Sequence, residues 1–182
     1  MPLSVDELPA RSLDKLLELY HNAFEPLRTL TATKQTLDDS EFRALLNYES
    51  VAVHLVNGRA GEPVAFGITV SDLKLIPWIN PEFYGAQYPE HYATGRIFYV
   101  PTLLVDPAHQ KGPSFVRLLR TMIPYLAERD AVVAMDCCAH NVEVERMPEL
   151  IAVMCRREAT LIESKEIDTQ VFCSYELAPK VT

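Results

Sequence analysis

The spacing of apolar positions changes period several times along the chain, and each change marks an element. Leu13, Leu16, Leu17, Tyr20 and Phe24 recur three and four apart, predicting a helix over about Ser12 to Phe24 with Ser12 as N-cap. Phe42, Leu45 and Leu46 predict a second helix over about Asp39 to Asn47, capped by Asp38 or Asp39. The polar, Thr-rich stretch between them, Glu25 to Leu37, reads as a loop. Val51 to Val56 and Pro63 to Val70 read as strands joined across Gly58 and Gly61. A short strand at Leu3 to Val5 would precede the first helix.

The stretch Ile97 to Leu119 is the most informative. Ile97, Tyr99, Leu103 and Val105 alternate with Phe98, Val100 and Leu104, so both faces are apolar, as in a central strand covered on both sides. Pro101 cannot donate a ladder hydrogen bond, and a bulge is the usual resolution. After a turn around Gly112, Phe115, Leu118, Leu119, Met122, Ile123 and Leu126 recur at helical spacing, with Arg117, Arg120 and Thr121 opposite. Pro113 suits the first turn of that helix, Gly112 can supply an unusual backbone angle, and Pro124 predicts a kink or an early end. Ala131 to Cys137 is a further buried strand. The crossover helix makes it a parallel neighbour of the strand Ile97 to Val105. Pro148 opens a last helix, and Leu161 to Ile167 with Gln170 to Leu177 predict a terminal hairpin turning at Asp168-Thr169.

Asp72 to Gly95 fits no period. It packs Trp78, Phe83, Tyr84, Tyr88 and Tyr92 among prolines, with Asn80-Pro81-Glu82 resembling a helix start. A connection this long inside a compact domain is either a binding wall or an Ω-loop whose aromatics complete the core.

Composition narrows the function classes. At 182 residues and 48% apolar, the chain predicts one globular domain, residues 1–182. No run approaches the roughly 18 apolar residues of a membrane span, and MPLSVDELPAR lacks the features of a signal peptide. With four cysteines in no paired spacing, the expectation is a cytoplasmic protein with reduced thiols and no membrane partner. A net charge of −8 argues against nucleic acid and suits an amine partner. Cys137, Cys138 and His140 lack a fourth ligand at chelating spacing, so no metal is expected. No P-loop, dinucleotide fingerprint or nucleophile-elbow motif is present.

The order α-α-β-β-β-α-β-α-β-β, with Val105-Asp106-Pro107-Ala108-His109-Gln110-Lys111-Gly112 between strand and helix, resembles the GNAT superfamily of acyl-CoA N-acyltransferases over nearly the whole chain. The resemblance implies an α+β, three-layer fold: a mixed, mostly antiparallel sheet with a splayed parallel strand pair, flanked by helices. It implies acetyl-CoA or another acyl-CoA as co-substrate and a small-molecule or peptide amine as acceptor. Leu103, Val105, Gln110, Lys111, Gly112, Ser114 and Asn141 would hold the coenzyme. Trp78, Phe83, Tyr84 and Tyr92 would wall the acceptor pocket. Among residues able to handle the ammonium proton (Tyr99, Asp136, His140, Glu82, His91), Tyr99 and His140 are the leading catalytic candidates.

Three positions depart from the family pattern. The usual (Gln/Arg)-x-x-Gly-x-(Gly/Ala) loop retains one glycine, with Phe115 where a small residue is usual and Pro113 removing a donor. The tyrosine often found in the helix after the fifth strand is replaced by Met154-Cys155-Arg156-Arg157, and the fourth-strand glutamate by Pro101-Thr102. The alternative is therefore an inactive GNAT-fold binding or interaction module. The oligomeric state, a homodimer included, is left open.

Overall fold

The computed structural model describes residues 10–32 and 36–177; the expected strand at Leu3 to Val5 lies outside them. Four strands, β1 (Val51–Asn57), β2 (Pro63–Val70), β3 (Ile97–Val105) and β4 (Val132–Ala134), form one sheet in that order. The β1–β2 and β2–β3 pairs are antiparallel and β3–β4 is parallel, the adjacency that the crossover predicts. The helices are α1 (Ala10–Phe24), α2 (Asp39–Leu46), α3 (Pro81–Gln87), α4 (Pro89–Ala93), α5 (Ser114–Ala127), α6 (Ala139–Glu143) and α7 (Met147–Glu158).

Helices α1 and α2 cover one face of the sheet. Leu16, Leu19, Tyr20 and Phe42 pack there against Phe66, Ile68 and Val70. The apolar stripe of α1 is where its spacing predicts, but the chain is already helical at Ala10, the first described residue, so Ser12 lies inside the helix rather than capping it. α2 begins in a capping box: the Asp38 carboxylate accepts from the Ser40 and Glu41 amides, and the Glu41 carboxylate accepts from the Asp38 amide.

Helix α5 covers the opposite face, with Leu118, Met122 and Leu126 against Val64, Phe98 and Val100. Gly67 makes this approach possible, since a Cβ there would stand 2.6 Å from the Met122 sulfur. α7 forms an outer layer through Met154 against Leu119 and Ile123. Pro124 does not end α5, which runs on to Ala127 because buried Leu126 anchors the last turn and the Glu128 amide bonds the Pro124 carbonyl. Pro113 stands at the N-cap rather than in the first turn, and Gly112 keeps a negative φ. The turn closes through its amide on the His109 carbonyl, 3.1 Å away.

Two expectations at the C-terminal side are corrected. β4 is three residues long and its Val133 is 46% exposed, so it is a short edge strand rather than a buried one. The predicted terminal hairpin is absent: residues 160–177 form no strand, and Ile162, Val171, Tyr175 and Leu177 are exposed. A three-residue edge gives a hairpin little to pair with. Moreover, Glu163, Lys165, Glu166 and Asp168 bind locally, Lys165 to Glu163 and Thr169 to Glu166 and Asp168. Ile167 packs against the cluster under α1 and α2, and the Lys165 ammonium also reaches over the Tyr88 ring, 5.5 Å from its centroid.

Candidate active site

Strands β3 and β4 part company inside the sheet. Pairing runs Ile97–Val132, Phe98–Val133 and Tyr99–Ala134, then stops, while β3 continues to Val105. The β2–β3 register shifts at the same point: Val70 faces Tyr99 and Ile68 faces Thr102, so Val100 and Pro101 together oppose Thr69. This is the bulge that Pro101 predicts, placed where the strands diverge.

The bulge sets which backbone groups point into the gap. The Asp106 amide donates to the Val64 carbonyl, and amides alternate along a strand. The amides of Thr102 and Leu104 therefore face β2, and those of Leu103 and Val105 face the side that β4 has left. Before the bulge, the Arg96 carbonyl accepts from Val132, placing the even-numbered residues on the β4 side. Val100 and Pro101 thus both face the gap, and the proline has no amide to leave unpaired there.

On the α1/α2 face, three side chains meet where the gap begins. Tyr99, 1% exposed, donates its hydroxyl to Asp136 Oδ1, and Trp78 Nε1 donates to the Tyr99 hydroxyl (3.3 Å) and to Asp136 Oδ1 (3.4 Å). Tyr84 stacks edge-on against Tyr99 at 6.3 Å between centroids, and Phe83 packs edge-on against Tyr84 at 5.6 Å. Burial, reinforced by the Asp136 carboxylate, pushes the Tyr99 hydroxyl far above the usual tyrosine range. Tyr99 is thus held as a protonated donor to Asp136. Asp136 is solvent-exposed, with its Oδ1 fixed by the phenol and the indole. Beyond Trp78 lies a cavity of about 360 Å³ lined by Thr36, Leu37, Asp38, Glu41 and Pro77.

The aromatic segment therefore does pack over the strand divergence, as two short helices after a 3₁₀ turn at Leu73–Leu75. Asn80 caps α3 by accepting from the Glu82 amide at 3.0 Å. Tyr92 is separated from the other aromatics: it is 40% exposed, lies against Gly85, and lines a different cavity of about 160 Å³ with Ser71, Lys74 and Ile97.

At the far end of β3, Asp106 accepts from the Ala108 amide, and the turn through Gln110, Lys111 and Gly112 is exposed. Arg117 is the first α5 residue whose amide finds a helical acceptor, Pro113. The Ser114, Phe115 and Val116 amides are the helix's unpaired first-turn donors. Ser114 is buried, and Phe115 packs among the apolar side chains under and beside α5 instead of blocking those donors.

His140 is not brought to the cluster. It lies in α6, 3.7 Å from the Glu145 carboxylate, and shares no hydrogen bond with Tyr99. Asn141 is half-buried in the same short helix. Cys137 follows Asp136, and burial raises its thiol to about 11, which keeps it protonated and unreactive. Asp136 was legible as a base candidate but no signal in the sequence ranked it; the contacts of Trp78 and Tyr99 do. No group of three or more His, Cys, Asp or Glu among the described residues could hold a metal ion, and no helix among them is long and apolar enough to cross a membrane.

No family model matches the chain, and no curated protein matches it in sequence. Solved structures do match. An aminoglycoside acetyltransferase, meta-AAC0020 from an uncultured soil metagenomic sample, solved with sisomicin, is 16% identical with a TM-score of 0.51, over 94% of this chain and 93% of that one. A candidate acetyltransferase from Agrobacterium tumefaciens is 14% identical with a TM-score of 0.54, over 91% and 96%. At these identities the likeness is one of fold alone: the chain has the GNAT fold.

Proposed function

We propose that this protein is an acyl-CoA-dependent N-acyltransferase for a small amine, working in the gap between β3 and β4. The observation that carries the reading is the coincidence of three features at that gap. The bulge turns the Leu103 and Val105 amides into it, the α5 first turn offers free donors at its foot, and the Tyr99–Asp136–Trp78 cluster stands at its mouth.

These groups fit an acyl-CoA. A pantetheine chain carries amides that pair with an open strand edge, so Val105 would hold it as a missing strand would, leaving the Leu103 amide for the thioester carbonyl at its end. The Ser114, Phe115 and Val116 amides, with Lys111 beside them and Gln110 next to it, would receive the pyrophosphate. The coenzyme supplies an activated thioester. The chain's own tasks are to orient the amine, accept its proton and stabilise the oxyanion. Asp136, held by Tyr99 and Trp78, meets the ammonium and draws its proton away directly or through water. The Leu103 amide would donate to the oxyanion that forms as the amine adds to the carbonyl; the C–S bond then breaks, and the thiolate leaves as CoASH with the second proton that the attacking nitrogen sheds. Tyr99 keeps its proton and fixes Asp136. Tyr84 and Phe83 stiffen Tyr99 from behind, while Tyr92, His140 and Asn141 have no place in this assembly of contacts.

Ligand-induced stabilisation tests the reading. Acetyl-CoA or a longer acyl-CoA at 100 times its Kd should stabilise the fold by about 2.7 kcal/mol, a Tm increase of roughly 5–11 °C for a chain of this size. Thiol release in the presence of a panel of small amines then reports transfer, and Asp136→Asn should lower kcat/KM by at least about 100-fold. The specific observation favouring the alternative, an inactive module, is the single-glycine turn with Pro113 at the N-cap. No Tm change with any acyl-CoA would establish that alternative.

A further inference from the structure

Thr102 carries a side chain that the fold leaves unexplained. It is 2% exposed, and its Oγ1 is a buried polar atom with no hydrogen-bond partner. Buried hydroxyls normally find one, because an unmet donor and acceptor is costly away from water. Valine has the same shape and would fill the position without that cost, so packing alone gives no reason for the hydroxyl.

Its location supplies one. Thr102 pairs with Ile68 and Tyr99 with Val70, and Ile68 and Val70 share the α1/α2 face, so the Thr102 and Tyr99 side chains lie on the same side of the sheet. Tyr99 is the last β3 residue paired to β4, and Thr102 is the first after the bulge. The orphan hydroxyl therefore belongs to the stretch of β3 that borders the gap, on the side where Asp136 stands. The next residue, Leu103, sends its amide into the gap. A hydroxyl and an amide on consecutive residues, one beside the sheet and one in its plane, make a two-donor arrangement suited to a carbonyl oxygen.

We propose that Thr102 is a substrate-binding residue whose hydroxyl donates to the acyl carbonyl of the bound thioester, beside the Leu103 amide. This rests on the reading of the gap as an acyl-CoA site. It adds that the protein distinguishes acylated from free coenzyme through a side chain, and that binding the acyl group satisfies an atom left wanting in the free fold.

The experiment compares free CoA and acetyl-CoA on the full chain, by calorimetry and by thermal shift, for wild type, Thr102→Val and Thr102→Ser. The expected result has three parts. Thr102→Val weakens acetyl-CoA by roughly 5–10-fold, the usual effect of one lost hydrogen bond, and changes CoA by less than about twofold. The same variant melts about 2–4 °C higher without ligand, because the orphan hydroxyl is gone. Thr102→Ser, which keeps the hydroxyl, retains the wild-type ratio of the two affinities. If wild type binds both ligands and Thr102→Val retains the same ratio, the Thr102 assignment is overturned while the acyl-CoA site stands. Equal weakening of both ligands also overturns it, since the hydroxyl then acts on the coenzyme arm or on the strand. If wild type binds neither ligand, the site itself is refuted and the assignment with it. Should Thr102→Val fail to fold, Thr102→Ala provides the same comparison.

Discussion

His54 gives a prediction whose size can be worked from the structure. It sits in β1 at 1% exposure, with Nε2 3.1 Å from the Thr69 hydroxyl, Nδ1 without a partner, and its ring edge-on to Tyr125 at 5.0 Å. Burial, with the positive charge of nearby Arg129 contributing, lowers its pKa from 6.5 to about 4. Between these values the unfolded chain takes up a proton that the folded chain refuses. The stability contributed by neutral His54 is therefore complete above pH 6.5 and is lost as the pH falls to about 4. At about 1.4 kcal/mol per unit, the full loss is about 3 kcal/mol, of which about 2 kcal/mol has gone by pH 4.5. His54→Leu removes the titration, while every carboxylate that also titrates there is common to both chains. Urea unfolding of both proteins at pH 7 and pH 4.5 isolates the difference: wild type should lose about 2 kcal/mol more than the variant. Equal losses would refute the argument, and would mean that the ring accepts a proton in the fold, with Nδ1 finding an acceptor.

Three further outcomes separate site from scaffold. Tyr84→Ala removes a buried ring stacked on Tyr99 and should cost about 3 kcal/mol, seen as a Tm lower by roughly 6–12 °C; an unchanged Tm would show that α3 is not part of the core. Trp78→Phe keeps the packing and deletes the donor to Tyr99 and Asp136. It should lower kcat/KM for the amine by roughly tenfold while moving Tm by less than about 3 °C, and the reverse pattern would make Trp78 core filler. Lys111→Ala, an exposed change, should weaken CoA binding and flatten its dependence on salt without altering Tm; a variant with the wild-type salt dependence would remove Lys111 from the phosphate site.

The sequence was most legible where one rule acted alone. The apolar stripes of α1 and α5, the Asp38 cap and the Pro101 bulge follow from period and from proline's missing amide, and they appear where expected. Expectations failed where a second element had to cooperate. Alternation in residues 161–177 is the mark of a strand, but a strand needs an edge, and the three residues of β4 present little of one. Gly112 and Pro113 illustrate the same limit, since the turn closed on the His109 carbonyl without a positive φ and moved the proline from the first turn to the cap. In the candidate site, Tyr99 and Trp78 could be picked out as residues but not as partners. Their meeting at Asp136 depends on how far the aromatic segment folds back, which no local pattern encodes. Thr102 was invisible as a functional residue because an orphan hydroxyl exists only once its surroundings do.

The extra residue in β3 acts as a phase marker for the whole site. Upstream of it, odd-numbered side chains look toward α1 and α2; downstream, even-numbered ones do. Tyr99 and Thr102 share a face only because of this half-period offset. A ladder that closed over the same number of residues would place the two halves of the strand in the wrong parity, turning either the phenol or the hydroxyl and gap-facing amides to the opposite side. Losing one residue together with the bulge would not, because Tyr99 would still face Val70 and Thr102 would still face Ile68. Pro101, which has no amide to offer a regular ladder, guards against the first outcome. Among sequences sharing this fold, the count of residues between the tyrosine and the Thr-Leu-Leu-Val segment therefore has to be read together with the presence or absence of the bulge.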